Sequence, residues 1–394
     1  MFTQLADTLR SLRIHPAGLY RPLLLRYLQL TSRRLPAKSL PPDIESIFII
    51  AHERLGDAIL IMPFLYAFHD RFPAAAIDIA CTPLNQSLFS LLPFVRDVVT
   101  YKGDTAALRR LQIERRYTLL YNPKDNPSFT FIRLTRKTKA DVKVCLDHKS
   151  HNRFYHVHLP NPADGYILEK DAALLKAYQV PFPLPNRIPE PPLQDGTKYE
   201  LPEQGKYIAV NLSAGNTYRI WPLEKWTAVV EGLLALEQKY HVLVFAMEGE
   251  REMVRSLQTR FGERIHYCQT ETILDAGVFL QQARLLISPD TALIHLAAAK
   301  DVPVVGLYQK DERNRTLFAP YGVPSKMVVS EDLTLNSIQP GRVLEAAQEL
   351  LLEYAGIPVP GDIGKDFRRE QILETQITKE DGNNAQKKWN SPSI

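Results

Sequence analysis

The sequence predicts an α/β protein of two Rossmann-like domains facing across a cleft, and three observations support this. Short apolar runs alternate with longer stretches of helical periodicity, the pattern of parallel strands joined by covering helices. The alternation comes in two series, over 46–145 and 207–308, separated by the Pro-rich run VPFPLPNRIPEPP. The chain of 394 residues is also longer than one hydrophobic core ordinarily serves.

The first series starts after a basic leader. Residues 1–42 carry seven Lys and Arg against the single acid Asp7, a charge of +6, while the whole chain is only +4. Leu5, Leu9 and Leu12 fall at helical spacing, so the leader is expected to be amphipathic and suited to an anionic membrane surface; a helix packed on the domain, or a partner contact, is the alternative. Strands are expected at 46–51, 76–81, 97–101, 117–122 and 141–145, and helices at 58–72, 84–92, 105–115 and 128–136. Together, 43–160 form the N-terminal domain. Residues 161–205 read as a connection with one helix near 166–178. The second domain spans 206–337, with strands at 207–212, 241–246, 264–267, 285–288 and 302–308 and helices at 223–239, 250–261, 272–283 and 293–300. A C-terminal helix falls within 338–360, and the polar stretch 361–394 has too few apolar residues to pack and is expected to be disordered.

Bulk features narrow the class. Composition is ordinary for a globular chain, with 45% hydrophobic and 23% charged residues. Cys81, Cys145 and Cys268 match no metal or disulfide spacing and suit a reducing compartment. No apolar run reaches the length of a membrane span, and the N-terminal MFTQLADTLR lacks the apolar core of a signal peptide. Cytoplasmic residence is therefore expected, peripheral on the inner face of the membrane if the leader binds there. No nucleic-acid partner is expected.

Three turns at strand ends stand out. In Arg54-Leu55-Gly56-Asp57 the glycine permits a tight turn, and Asp57 either caps the next helix or projects a carboxylate suited to a general base. The loop Ser213-Ala214-Gly215 has small residues that let backbone approach a ligand, and Arg219 offers a forked cation apt for a diphosphate; an ordinary surface loop is the alternative. Pro289-Asp290-Thr291 breaks a strand and opens a helix, whose N-terminus is suited to phosphate. There Asp290 or Thr291 caps the helix or touches a ligand, and His295 lies one turn on, on the face of Thr291. No GxGxxG follows any strand, which disfavours NAD. The segment HKSHNRFYHVH matches no metal-ligand spacing and reads as a solvated linker or a basic loop for an acidic acceptor.

Three longer stretches, IFIIAHERLGDAILIMPFLYAFHDRFP, SAGNTYRIWPLEKW and PDTALIHLAAAKDVPVVGLY, occur in order and resemble the signatures of the heptosyltransferases of glycosyltransferase family 9. The resemblance runs from about residue 46 to residue 352. It implies a GT-B fold and an inverting, metal-independent transfer, without a cofactor, from an ADP-sugar or other nucleotide-sugar donor. The acceptor would be a lipid-linked glycan of the lipopolysaccharide core or a related envelope glycan. The N-terminal domain would serve the acceptor and the C-terminal domain the donor. Asp57 matches the catalytic aspartate, and Arg219 the phosphate-binding lysine. The hydroxylated phosphate loop falls near Ser213 to Gly215, and Glu250 corresponds to the ribose-binding acid. Asp290 and Thr291 match the diphosphate turn, Ala292 stands where the family has glycine, and His295 matches the family histidine. Another GT-B transferase, a nucleotide-sugar epimerase, or a non-catalytic sugar-nucleotide-binding protein are the alternatives.

Overall fold

The computed structural model describes residues 16–162, 165–191, 201 and 206–353, with side chains from residue 23 onward. Leu5, Leu9 and Leu12 of the leader, and the tail 361–394, lie outside the described residues. The chain divides into two compact units after Pro189.

In the first unit, α1 (Pro16–Thr31) precedes β1 (Ser46–Ile50), α2 (Leu55–Leu60), α3 (Met62–Arg71), β2 (Ala76–Cys81), α4 (Pro83–Ser90) and β3 (Val95–Thr100). Then come α5 (Ala106–Glu114), β4 (Arg116–Asn122), α6 (Phe129–Lys137), β5 (Lys139–Leu146), β6 (Val157–Leu159), α7 (Ile167–Asp171) and α8 (Ala173–Ala177). The second unit has β7 (Lys206–Asn211), α9 (Leu223–Leu236), β8 (Tyr240–Phe245), α10 (Arg251–Phe261), β9 (Ile265–Tyr267) and α11 (Ile273–Leu280). It continues with β10 (Ala283–Pro289), α12 (Ala292–Ala299), β11 (Val304–Tyr308), α13 (Glu312–Leu317), β12 (Ser325–Val329) and α14 (Pro340–Glu353).

Each unit holds a six-stranded parallel sheet, in the orders β3-β2-β1-β4-β5-β6 and β12-β11-β10-β7-β8-β9. Counted from its own first strand, each sheet has the order 3-2-1-4-5-6, so the two halves repeat one topology. The order reverses between β1 and β4 and between β7 and β10. At such a switch point the two loops leave for opposite faces of the sheet and open a crevice at the strands' carboxyl ends. Ile47–Ile50 of β1 and Ile208–Val210 of β7 are wholly buried, as strands covered on both faces must be. The second core also takes in Val343, Ala347 and Leu350, so α14 is an integral layer of that unit.

Several elements differ from the expected ones. The helix expected at 58–72 is two helices, broken at Ile61, because Pro63 supplies no N–H and its ring crowds the carbonyl four residues back. The helix near 166–178 is likewise two short helices, and Leu168, Leu174 and Leu175 are buried in the first unit. Residues 161–189 thus group with that unit, held by Tyr178 Oη donating to the Pro41 carbonyl at 2.8 Å. Expectation missed β6, α13 and β12, whose sequences mix polar and apolar residues. The HKSHNRFYHVH segment is packed structure: His151 is fully buried, with Nδ1 3.0 Å from the Leu146 carbonyl, and the segment's last two residues, Val157 and His158, enter β6. Burial first, opposed only in part by that backbone contact, pushes the His151 pKa down to about 4. Among the described residues no group of three His, Cys, Asp or Glu is placed to hold a metal.

Candidate active site

The expected site residues cluster at the two switch points. In the first unit the chain leaves β1 through His52, Glu53 and Arg54 and turns into α2, placing Asp57 in that helix's first turn. The Asp57 side chain is half-buried and makes no hydrogen bond among the described residues, so it does not cap the helix. Its loop is pinned by residues that follow β2 and β3. Asn85 Nδ2 donates to the His52 carbonyl at 3.2 Å, Thr82 Oγ1 to that of Glu53 at 3.2 Å, and Tyr101 Oη to that of Ala51 at 3.3 Å. Lys102 after β3 and Lys124 after β4 both reach the Glu53 carboxylate, at 3.1 and 3.2 Å. Burial would raise the Glu53 pKa, but these two ammonium groups hold it below its ordinary value.

Behind the loop lies a pair that no local sequence signal revealed. His52 Nε2 is 2.7 Å from Asp171 Oδ1, 119 positions along the chain, and both side chains are buried. Burial alone would lower the His52 pKa; the Asp171 carboxylate outweighs it, with Asp57 adding to the same effect, so the imidazole holds its proton above the usual range. Asp171 is in turn raised by burial, with His52 opposing, so the pair retains a proton between them.

In the second unit the loops leaving β7 and β10 meet. Asn211, the last residue of β7, donates from Nδ2 to Ser288 Oγ at 3.0 Å and to Thr291 Oγ1 at 3.1 Å, tying the strands together at the switch point. Thr291 occupies the N-cap position of α12, but its hydroxyl faces Asn211 and Ser288 and does not cap the helix. The first turn of α12 therefore has no side-chain cap, and its N–H dipoles are available to an anion. Ala292 is half-buried and is the first residue of that turn.

Arg219 ends a 3₁₀ turn, Thr217–Arg219, after the Ser213–Gly215 loop. Its guanidinium donates to the Asp290 carbonyl at 2.5 Å and pairs with the Asp290 carboxylate at 2.8 Å. A longer contact, 3.5 Å, reaches Gln309 Oε1, and Asn314 Nδ2 donates to the same Asp290 carboxylate at 2.7 Å. Arg219 and the Asp290–Thr291 turn are thus adjacent. His295 is buried beneath them, with Nδ1 lacking a hydrogen-bond partner. Burial, with Arg219 adding to it, lowers its pKa to about 4, so the ring is neutral at pH 7.

Ser213 Oγ donates to Glu250 Oε2 at 2.9 Å and accepts from the Met247 amide at 2.6 Å, so Ser213 and Glu250 adjoin at the carboxyl ends of β7 and β8. Ala214 is half-buried and Gly215 exposed, with no atom within 4 Å of where a Gly215 Cβ would stand, so the loop is open. Asn211, Ser288, Gln309 and Asn314 were not assigned roles from sequence; a polar residue closing an apolar run, as in IAVN, is the signal that marks Asn211.

Arranged this way, the second unit offers a cation, hydroxyls and an uncapped helix N-terminus, a set suited to a diphosphate, and the first unit offers an unengaged carboxylate. Residues 107–340 match the family model "Glycosyltransferase family 9 (heptosyltransferase)", a stretch that begins after Asp57. Lipopolysaccharide heptosyltransferase 3 of Escherichia coli is 22% identical over 281 residues, 64% of this chain and 80% of that one. Among solved structures, the family 9 glycosyl transferase of Veillonella parvula DSM 2008 superposes with a TM-score of 0.67 at 19% identity, covering 80% of this chain and 99% of that one. The E. coli heptosyltransferase WaaC with ADP gives 0.62 at 19% identity, covering 77% and 99%. These likenesses establish the shared two-domain GT-B fold, and the chain belongs to glycosyltransferase family 9, the heptosyltransferase family.

Proposed function

We propose that this sugar transferase moves heptose from a nucleotide-activated donor, ADP-heptose, to a lipid-linked glycan of the lipopolysaccharide core or a related envelope glycan, with inversion and without a metal. The observation that carries the proposal is the meeting of Arg219, the Asp290–Thr291 turn and the uncapped start of α12 at the second sheet's switch point. The related WaaC was solved with ADP, which fits such a pocket.

In this reading the acceptor hydroxyl oxygen attacks the anomeric carbon while Asp57 takes its proton. The bond from the anomeric carbon to the diphosphate oxygen breaks, and the diphosphate leaves with the electron pair. Its growing charge is met by Arg219 and the α12 N–H groups. Guanidinium has five N–H donors and Arg219 commits three in the contacts described, so it can add a phosphate without releasing Asp290. Ser213 and Glu250 adjoin that site and suit the nucleoside hydroxyls. Lys102 and Lys124, two cations on the single carboxylate of Glu53 in the loop that leads to Asp57, suit an acidic acceptor.

The test is donor-dependent release of nucleoside diphosphate, screened across ADP-, UDP- and GDP-sugars with a lipopolysaccharide-core acceptor. Release from ADP-heptose above the other donors is expected. Release confined to a different donor would overturn the sugar assignment, and binding without turnover on any donor would overturn transfer itself.

A further inference from the structure

The leader helix α1 presents an apolar stripe to water. Leu25 and Leu28 pack against the core cluster that contains Phe131, Ile132 and Leu134 of α6. On the opposite side Leu23, Tyr27 and Leu30 are 66%, 62% and 75% exposed. Their spacing of four and three places them in one stripe, with the partly exposed Leu24 at its margin. Three large apolar side chains aligned on one docked helix form a contiguous patch rather than scattered surface residues.

The helix is fixed in this orientation. Gln29 Nε2 donates to the Ser150 carbonyl at 3.2 Å, and the Arg153 guanidinium to that of Ser32 at 3.2 Å. The Leu35 and Lys38 amides bond to the carbonyls of Arg153 and His156. The HKSHNRFYHVH segment is thus the seat of the leader, and the outward stripe cannot turn inward without breaking these bonds.

The same two-helix unit is rich in exposed cations. Arg26, Arg33 and Arg34 are exposed on or just after α1, and Arg133, Arg136 and Lys137 are exposed on α6, against which α1 packs. Neither helix contains an acidic residue, and none of these six cations has an ion-pair partner among the described residues. An exposed apolar stripe on a helix pair that carries unpaired cations and no acid matches an anionic lipid surface, which takes the apolar side chains at the headgroup–acyl boundary and the cations at its phosphates. Among the described residues no helix is long and apolar enough to cross a membrane.

We propose that α1 and α6 form one face that docks the protein flat on an anionic bilayer. The proposal does not rest on the transfer reaction, since docking is measured without donor. Full-length protein is sedimented with phosphatidylcholine vesicles, with and without an equal part of phosphatidylglycerol. Binding to the anionic vesicles only is expected, weakening with salt. The triple variant Leu23→Ser, Tyr27→Ser, Leu30→Ser should bind roughly tenfold or more weakly, from lost apolar burial. Arg133→Ala with Arg136→Ala should lower partitioning roughly twenty-five-fold, about a factor of five for each surface cation. These positions are exposed, so a melt matching wild type confirms that each variant folds. As a second readout, Leu30→Trp should give a blue-shifted emission on anionic vesicles alone. Equal binding to both vesicle types, or unchanged binding in the serine variant, overturns the proposal. A concentration-dependent dimer abolished by the serine substitutions, without vesicle binding, would assign the face to a second copy of the chain instead.

Discussion

Arg219→Ala tests the donor site most directly. In the structure the Arg219 side chain is 17% exposed and the Asp290 side chain 9%, so their contact is largely out of water. Two effects follow from truncation. The diphosphate loses a charge-assisted contact, worth about 1.5–3 kcal/mol, or roughly ten- to a hundredfold in affinity. The Asp290 carboxylate also stays in place with Asn314 still donating to it, and its charge, no longer balanced by the guanidinium, then repels the incoming phosphates. The loss should therefore sit at the upper end of that range. Arg219→Lys should recover part of it, since one ammonium restores the charge but not the several directed bonds. Adding Asp290→Asn to Arg219→Ala should also recover part, by removing the repelling carboxylate. Calorimetric titration of ADP into the four proteins reads all of this. ADP affinity unchanged in Arg219→Ala, with turnover also unchanged, would remove Arg219 from the diphosphate site and leave the anion to the α12 N-terminus alone.

Asp57→Asn should leave ADP affinity nearly intact and cut turnover by roughly 10²-fold or more, as expected for loss of a general base; near-normal turnover would exclude it from that role. Asp78→Asn should destabilise the first unit by about 3 kcal/mol, because the buried Asp78 carboxylate accepts from Arg96, Arg115 and Tyr117 at 2.6–2.9 Å. Burial would raise its pKa, but those hydrogen bonds hold it below the ordinary value of 3.8, so its stabilisation is present above that pH and lost as pH falls through the lower folded value. Urea unfolding between pH 2 and 7, against wild type, should show the variant losing less stability on acidification. His295, with a pKa near 4 in the fold against 6.5 when free, should make the second unit less stable as pH drops from 6.5 toward 4, since the unfolded chain binds the proton first. His295→Phe should flatten that slope in the same titration.

The sequence made legible whatever a strand or helix writes locally. An apolar run closed by Pro-Asp-Thr and followed by LIHLAAA carries its strand, turn and helix within a few residues, and 285–300 folds accordingly. Edge strands carry less. In SKMVV, Lys326 and the exposed Met327 interrupt the apolar pattern, so β12 lacks the continuous run that identifies a buried strand. The Pro63 break was foreseeable from proline chemistry, but the periodicity of 58–72 is continuous across it and masks the division. Long-range partners leave no local trace: His52 and Asp171 each read as unremarkable until the fold sets them 2.7 Å apart. The pairing of Arg219 with Asp290, 71 positions away, likewise depends on β7 and β10 being neighbours, and strand order is a property of the sheet.

The two sheets also separate what topology supplies from what side chains supply. Both have the same order and the same switch point, so each offers a crevice at equivalent strand ends. At the first, the helix turn after the β1 loop carries Asp57, with Lys102 and Lys124 neutralising Glu53 in that loop and a buried His52–Asp171 pair behind. At the second, the loop after β7 carries Arg219, and the turn after β10 opens an uncapped eight-residue helix. A carboxylate that no donor engages is poised to accept a proton. A guanidinium beside free helix N–H groups is poised to hold an anion that gains charge. Fold alone would permit either chemistry at either end. In the proposed reaction the division of labour follows from which side chain is presented after β1 and after β7, and exchanging the charges of Asp57 and Arg219 should abolish donor-dependent nucleoside diphosphate release while leaving both sheets intact by circular dichroism.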